Sequence, residues 1–144
     1  MTDPAQPPLI FKDLSAAVGE VLLCWGFLED EMLKKVEVSG PSLPPRSAPI
    51  QKWRLASARS ATDASGWTDE IEQAAEIRNL LAHGFVGGSS QPVEGEPFVV
   101  CRDIDGQRRN LTYDTLKATA QNLDLLRLRL RCEPDDLLRP RETV

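Results

Sequence analysis

Residues 76–86 read EIRNLLAHGFV. Extended back to Thr68, the segment spaces Ile71, Ala74, Ala75, Leu81, Ala82 and Phe85 so that about 100° per residue gathers them on one face. Apolar residues recurring every three or four positions define a helix packed on a core. Asp69 and Glu70 suit the positive end of that helix's dipole, and Gly84 suits the left-handed position just past its end. Arg78 nevertheless falls inside the apolar face. Asn79 and His83, four residues apart and therefore neighbours, lie along its flank beside Glu72 and Glu76.

Residues 13–38 place Leu14, Val18, Val21, Leu22, Trp25, Leu28, Met32 and Val36 at helical spacing behind Asp13, a suitable N-cap. A shorter helix is predicted over residues 50–61, with Ser47 or Pro49 near its start. The proline-rich stretch 39–49 reads as a loop joining these helices, with a polyproline ligand as the alternative. Residues 87–97 form a second loop. In PFVVCRDIDGQRRNLT, two β-prone runs flank Asp105-Gly106 and predict a hairpin. Thr112 then caps a fourth helix reaching about residue 131; its LRLRLR could alternate as a strand, but it continues the helical pattern of Leu116, Leu123, Leu126 and Leu130, which favours a helix. The expected class is mainly α, a small four- to five-helix up-and-down bundle with a β-hairpin inserted before the last helix. Residues 1–8 are expected to be a flexible arm, 9–133 a single helical domain and 134–144 a flexible tail.

Helix one also carries a charge out of place. Glu29 projects into the stripe of Val18, Val21, Leu22, Trp25, Met32 and Val36, whereas Asp30 and Glu31 point elsewhere. A buried unpaired charge costs several kcal/mol. Glu29 and Arg78 are therefore predicted to meet, within one chain or across a dimer seam.

The 144 residues suit one domain, and 41% apolar with 27% charged residues is a soluble globular balance. A net charge of −5 and a pI of about 4.9 argue against a protein that coats DNA, while leaving room for a local basic cleft. No apolar run reaches membrane-spanning length. The opening MTDPAQPPL lacks a signal peptide's basic and apolar regions, so a cytoplasmic location is expected. Cys24, Cys101 and Cys132 lack paired spacing and read as reduced thiols. With one histidine, no zinc site or other cofactor is expected, and no nucleophile-elbow glycine pattern surrounds a serine.

Arg78-Asn79-Leu80-Leu81-Ala82-His83 has the form R-N-x-x-x-H, late in a helix of a small α domain. It resembles the signature of the HEPN superfamily. That resemblance implies a helical bundle that dimerises and brings two motifs into one cleft. It implies a metal-independent endoribonuclease, often a toxin or defence protein paired with an antitoxin, or an inactive relative that serves as a binding module. One toxin subset has a tyrosine two residues after the histidine. Here that position is Phe85, so modification of such a tyrosine does not carry over.

The chemistry stands beside the resemblance. RNA brings its own nucleophile, the 2′-OH next to each phosphodiester. Cleavage needs a base for that hydroxyl, an acid for the leaving 5′-oxygen and positive charge for the phosphate. His83 suits the proton transfers, Arg78 the phosphate and Asn79 a supporting role. Because one chain offers one histidine, the expected enzyme is a homodimer, unless water fills one role. Arg102, Arg108 and Arg109 on the hairpin are candidate phosphate contacts; the alternative is a solvated hairpin with Asp103 and Asp105 beside them. The rival function is a catalytically silent helical dimer binding RNA, a nucleotide or a protein.

Overall fold

The computed structural model describes residues 11–39, 46–91 and 95–141. The expected arm at residues 1–8 and most of the proline-rich stretch lie outside them. Four helices, α1 (Phe11–Ser39), α2 (Pro49–Arg59), α3 (Ser65–His83) and α4 (Tyr113–Cys132), surround one core. Three strands, β1 (Phe85–Ser89), β2 (Phe98–Arg102) and β3 (Arg108–Thr112), lie between α3 and α4. The mainly α class expected from the pattern is the observed one.

The long helices follow their apolar spacing. On α1, Leu14, Ala17, Val21, Trp25, Leu28, Met32 and Val36 are buried; on α4, Leu116, Ala120, Leu123, Leu126 and Leu130 are. These two faces pack against each other, and α2 and α3 also lean on α1. The LRLRLR run settles its own period: Leu126 and Leu130 are 5% and 0% exposed, but Leu128 between them is 41% exposed. A strand would have turned all three leucines to one side. As predicted, Thr112 caps α4, its Oγ1 accepting from the Thr115 N–H at 3.1 Å. Pro49 begins α2, where its missing N–H costs no helical bond, and Gln51 accepts from the Ala48 N–H at 3.2 Å.

Glu31, expected to face away from the core, is buried, as is Lys35 one turn on. Both are satisfied by the far end of α4. Arg131 Nε donates to Glu31 at 3.0 Å, and Lys35 Nζ donates to the Glu133 carbonyl at 2.7 Å and to Asp135 at 3.3 Å. Lys35 therefore caps the Glu133 carbonyl at the end of α4 while joining it to α1. Residues 134–141, the described part of the loose tail expected for residues 134–144, are packed. Leu137 and Leu138 are buried, Ser60 Oγ donates to the Leu137 carbonyl, and Ser60 pairs with Pro140 across an isolated bridge. Two adjacent leucines amid acids, arginines and prolines form too short an apolar run to outweigh the polar surroundings in a sequence reading.

The sheet is larger than the expected hairpin. Its order is β1-β2-β3, both pairs antiparallel, with a register shift between Phe85 and Gly87 on β1. The predicted turn forms between β2 and β3. Asp103 accepts from the N–H groups of Asp105 and Gln107, and Gly106 takes a positive φ of 80°. Strand β1 falls where a glycine-rich loop was expected, because it is held by pairing rather than by its own side chains.

Gly84 is not left-handed: its φ is −113°. Its lack of a side chain serves a close approach. The Arg102 N–H donates to the Gly84 carbonyl at 2.8 Å, and a Cβ on Gly84 would collide with the Arg102 carbonyl oxygen. Gly84→Ala is expected to destabilise the fold by about 1–3 kcal/mol, the usual cost of overpacking. Gly66→Ala, in open space on α3, serves as the comparison and is expected to be neutral or slightly stabilising. Urea denaturation of both variants checks this; equal midpoints would contradict it.

Candidate functional site

Chain reversal at Gly84 lays the β2–β3 turn beside the end of α3, and the space between is a cleft of about 680 Å³. Glu76, Asn79, Leu80 and His83 line it from α3. Arg102 from β2, Asp103, Ile104 and Asp105 from the turn, and Arg109 from β3 line the opposite side. His83 is the last residue of α3 and exposed, so a cation there would meet the negative end of the helix dipole. Asn79, one turn earlier, is also exposed.

The three motif residues do not all face this space. Arg78 is half-buried and absent from the cleft lining. Its Nη1 donates to Asn79 Oδ1 at 3.0 Å, so it reaches the cleft through Asn79. Behind it, the guanidinium lies near enough to Glu29 to lower that carboxyl's pKa, but the two form no direct ion pair. The predicted meeting is therefore a through-space attraction and not a bridge. Burial acts on Glu29 more strongly than Arg78 does, and it moves the pKa up. The Trp25 indole also favours the carboxylate, although its buried N–H makes no well-formed hydrogen bond.

The hairpin arginines divide as well. Arg102 is exposed at the cleft wall, and its side chain makes no hydrogen bond or ion pair to the described residues. Arg109 donates to Glu76 at 2.7 Å across the cleft, and that bond pushes its pKa up, fixing its charge. Arg108 is exposed and outside the lining. Cys101 is buried, and burial pushes its thiol up, so it stays neutral.

Chemically, the cleft offers an accessible imidazole, an amide, an unpaired guanidinium and a second guanidinium bound to a carboxylate. Glu76 was legible only as a flank residue of α3; its place in the site depends on β3 arriving opposite. Ile104 at the turn is fully exposed, an apolar tip beside polar walls. Among the described residues no group of three or more His, Cys, Asp or Glu is arranged to hold a metal ion. None of the described helices is long and apolar enough to cross a membrane. No family model, curated protein or solved structure matches the chain.

Glu29 gives a test of the charge behind the cleft. A raised folded-state pKa means that the folded chain retains a proton the unfolded chain has lost. Stability therefore falls as pH rises from about 4.5, the ordinary value, through the folded value. Glu29→Gln is expected to flatten this fall, so that its advantage over wild type grows from acid to neutral pH. Urea midpoints across that range measure it; identical pH slopes for the two proteins would contradict the placement of Glu29.

Proposed function

We propose that this chain is a HEPN-type, metal-independent endoribonuclease that works as a homodimer in the cytoplasm. The observation that carries the reading is that His83, Asn79, Arg102 and Arg109 line one open cleft. A phosphodiester lying in it would meet Arg102 at its non-bridging oxygens, with Arg109 as a second cation. His83 transfers a proton at one of the two oxygens that change bonding, the 2′-OH or the leaving O5′. Asn79 orients the imidazole or holds a ribose hydroxyl. Arg78, outside the lining, positions Asn79 and adds positive potential from behind. The other proton transfer falls to the partner's histidine or to water. A role as a toxin or defence nuclease held by an antitoxin follows from the resemblance alone.

A second reading has its own support. The Arg109–Glu76 pair consumes one of the two cleft cations, and Asp103 and Asp105 add negative charge to the rim. A weakly basic cleft suits a silent module that binds RNA, a nucleotide or a protein.

The readings separate on single-stranded RNA incubated with purified protein in EDTA. The enzyme reading predicts cleavage to 2′,3′-cyclic phosphate ends, reduced by about 10²- to 10⁴-fold in His83→Ala. Arg78→Ala is expected to slow cleavage less, because it acts through Asn79. Binding without cleavage would establish the silent module, and equal cleavage by all three proteins would expose a contaminant.

A further inference from the structure

Transesterification needs two proton-transfer groups, and the chain has one histidine. Glu76 precedes His83 by seven residues on α3. At about 100° and 1.5 Å per residue, their Cα atoms fall nearly on one line of the helix, about 10 Å apart. Asn79 sits between them, and all three line the same cleft. Two side chains converging from those points can flank one phosphodiester. We propose that Glu76 is the general base of this cleft and His83 its general acid, so that a single protomer holds a complete acid–base pair for RNA cleavage. The inference rests on the ribonuclease reading of the site and removes its demand for a second histidine.

The step balances within the cleft. The Glu76 carboxylate takes the proton of the 2′-OH as the O2′–P bond forms. The P–O5′ bond breaks, and O5′ leaves with the proton of the His83 imidazolium. The products are a 2′,3′-cyclic phosphate and a free 5′-hydroxyl. Protonated Glu76 and neutral His83 then exchange protons with water, which restores both.

In the unliganded cleft, Glu76 is held by Arg109 at 2.7 Å. The bridge is open to solvent, with side chains 40% and 60% exposed, and such bridges are weak. An incoming phosphate competes for the guanidinium. When Arg109 turns to the phosphate, the Glu76 carboxylate loses its hydrogen-bonded partner and is free to accept the 2′-OH proton. The other charged groups that line the cleft are His83 on α3 and Arg102, Asp103 and Asp105 on the hairpin, and Glu72 lies one turn before Glu76 on α3.

The test is the pH dependence of RNA cleavage in EDTA, with short single-stranded RNA as substrate. Wild type is expected to give a bell. Glu76→Gln loses about 10²-fold or more in rate together with the acidic limb, and Glu76→Asp regains part of both. Arg109→Gln breaks the same bridge but spares the carboxylate; it is slower yet keeps the acidic limb, which separates a base from a structural bridge. Mixing Glu76→Gln with His83→Ala restores nothing, since neither protomer then holds both groups. A wild-type rate and acidic limb in Glu76→Gln, with His83→Ala inactive, would overturn the proposal and leave the ribonuclease reading standing. Recovery on mixing would overturn the single-protomer site. Absence of cleavage by wild type would remove the ribonuclease reading and this inference together.

Discussion

The hydrogen bond from the Arg102 N–H to the Gly84 carbonyl carries the arrangement of the site. It forms only because Gly84 has no Cβ, which lets β2 press its backbone against the end of α3. Together with the β1–β2 ladder, that contact places the hairpin beside α3. Without it, Arg102, Arg109 and the turn acids would belong to a solvated hairpin, and His83 would be an ordinary histidine at a helix end. One backbone approach makes a cleft out of two unremarkable surfaces.

Charge is used differently at the two ends of the bundle. At the far end of α4, Lys35 and Glu31 are buried and each is met by a partner from α4 or the segment after it. Breaking such a pair leaves an unsatisfied buried charge, so these groups act as locks. Beside the cleft, Arg78 and Glu29 are only half-buried and interact without touching. Arg109 and Glu76 touch but remain open to water. The charges near the cleft are those whose partners a ligand can exchange.

The sequence made the helices legible because apolar spacing on α1, α3 and α4 was long enough to specify a period. Thr112, Pro49 and Asp105-Gly106 marked their local structures by side-chain chemistry acting over a few residues. Long-range pairing was what escaped. Strand β1 has a glycine-rich sequence and exists because β2 lies beside it. Leu137 and Leu138 find cover only because α2 ends nearby. Glu31 and Glu29 are two residues apart on one helix, so a small rotation of the core decides which is buried. In the site, His83 and Asn79 could be named from their spacing, but Arg78's turn away from the cleft and Glu76's entry into it depended on where the hairpin packed.

Under the proposed function, the end of α3 and the hairpin form one surface that receives an RNA phosphodiester. The most direct measurement is NMR mapping with a short oligonucleotide carrying 2′-deoxyribose at the would-be cleavage position, which binds but offers no nucleophile there. The His83 imidazole, the Asn79 side-chain amide and the Arg102 and Arg109 guanidinium signals are expected to shift together along one binding curve. Undisturbed signals at those four residues, with shifts confined to residues outside the cleft, would rule out that surface.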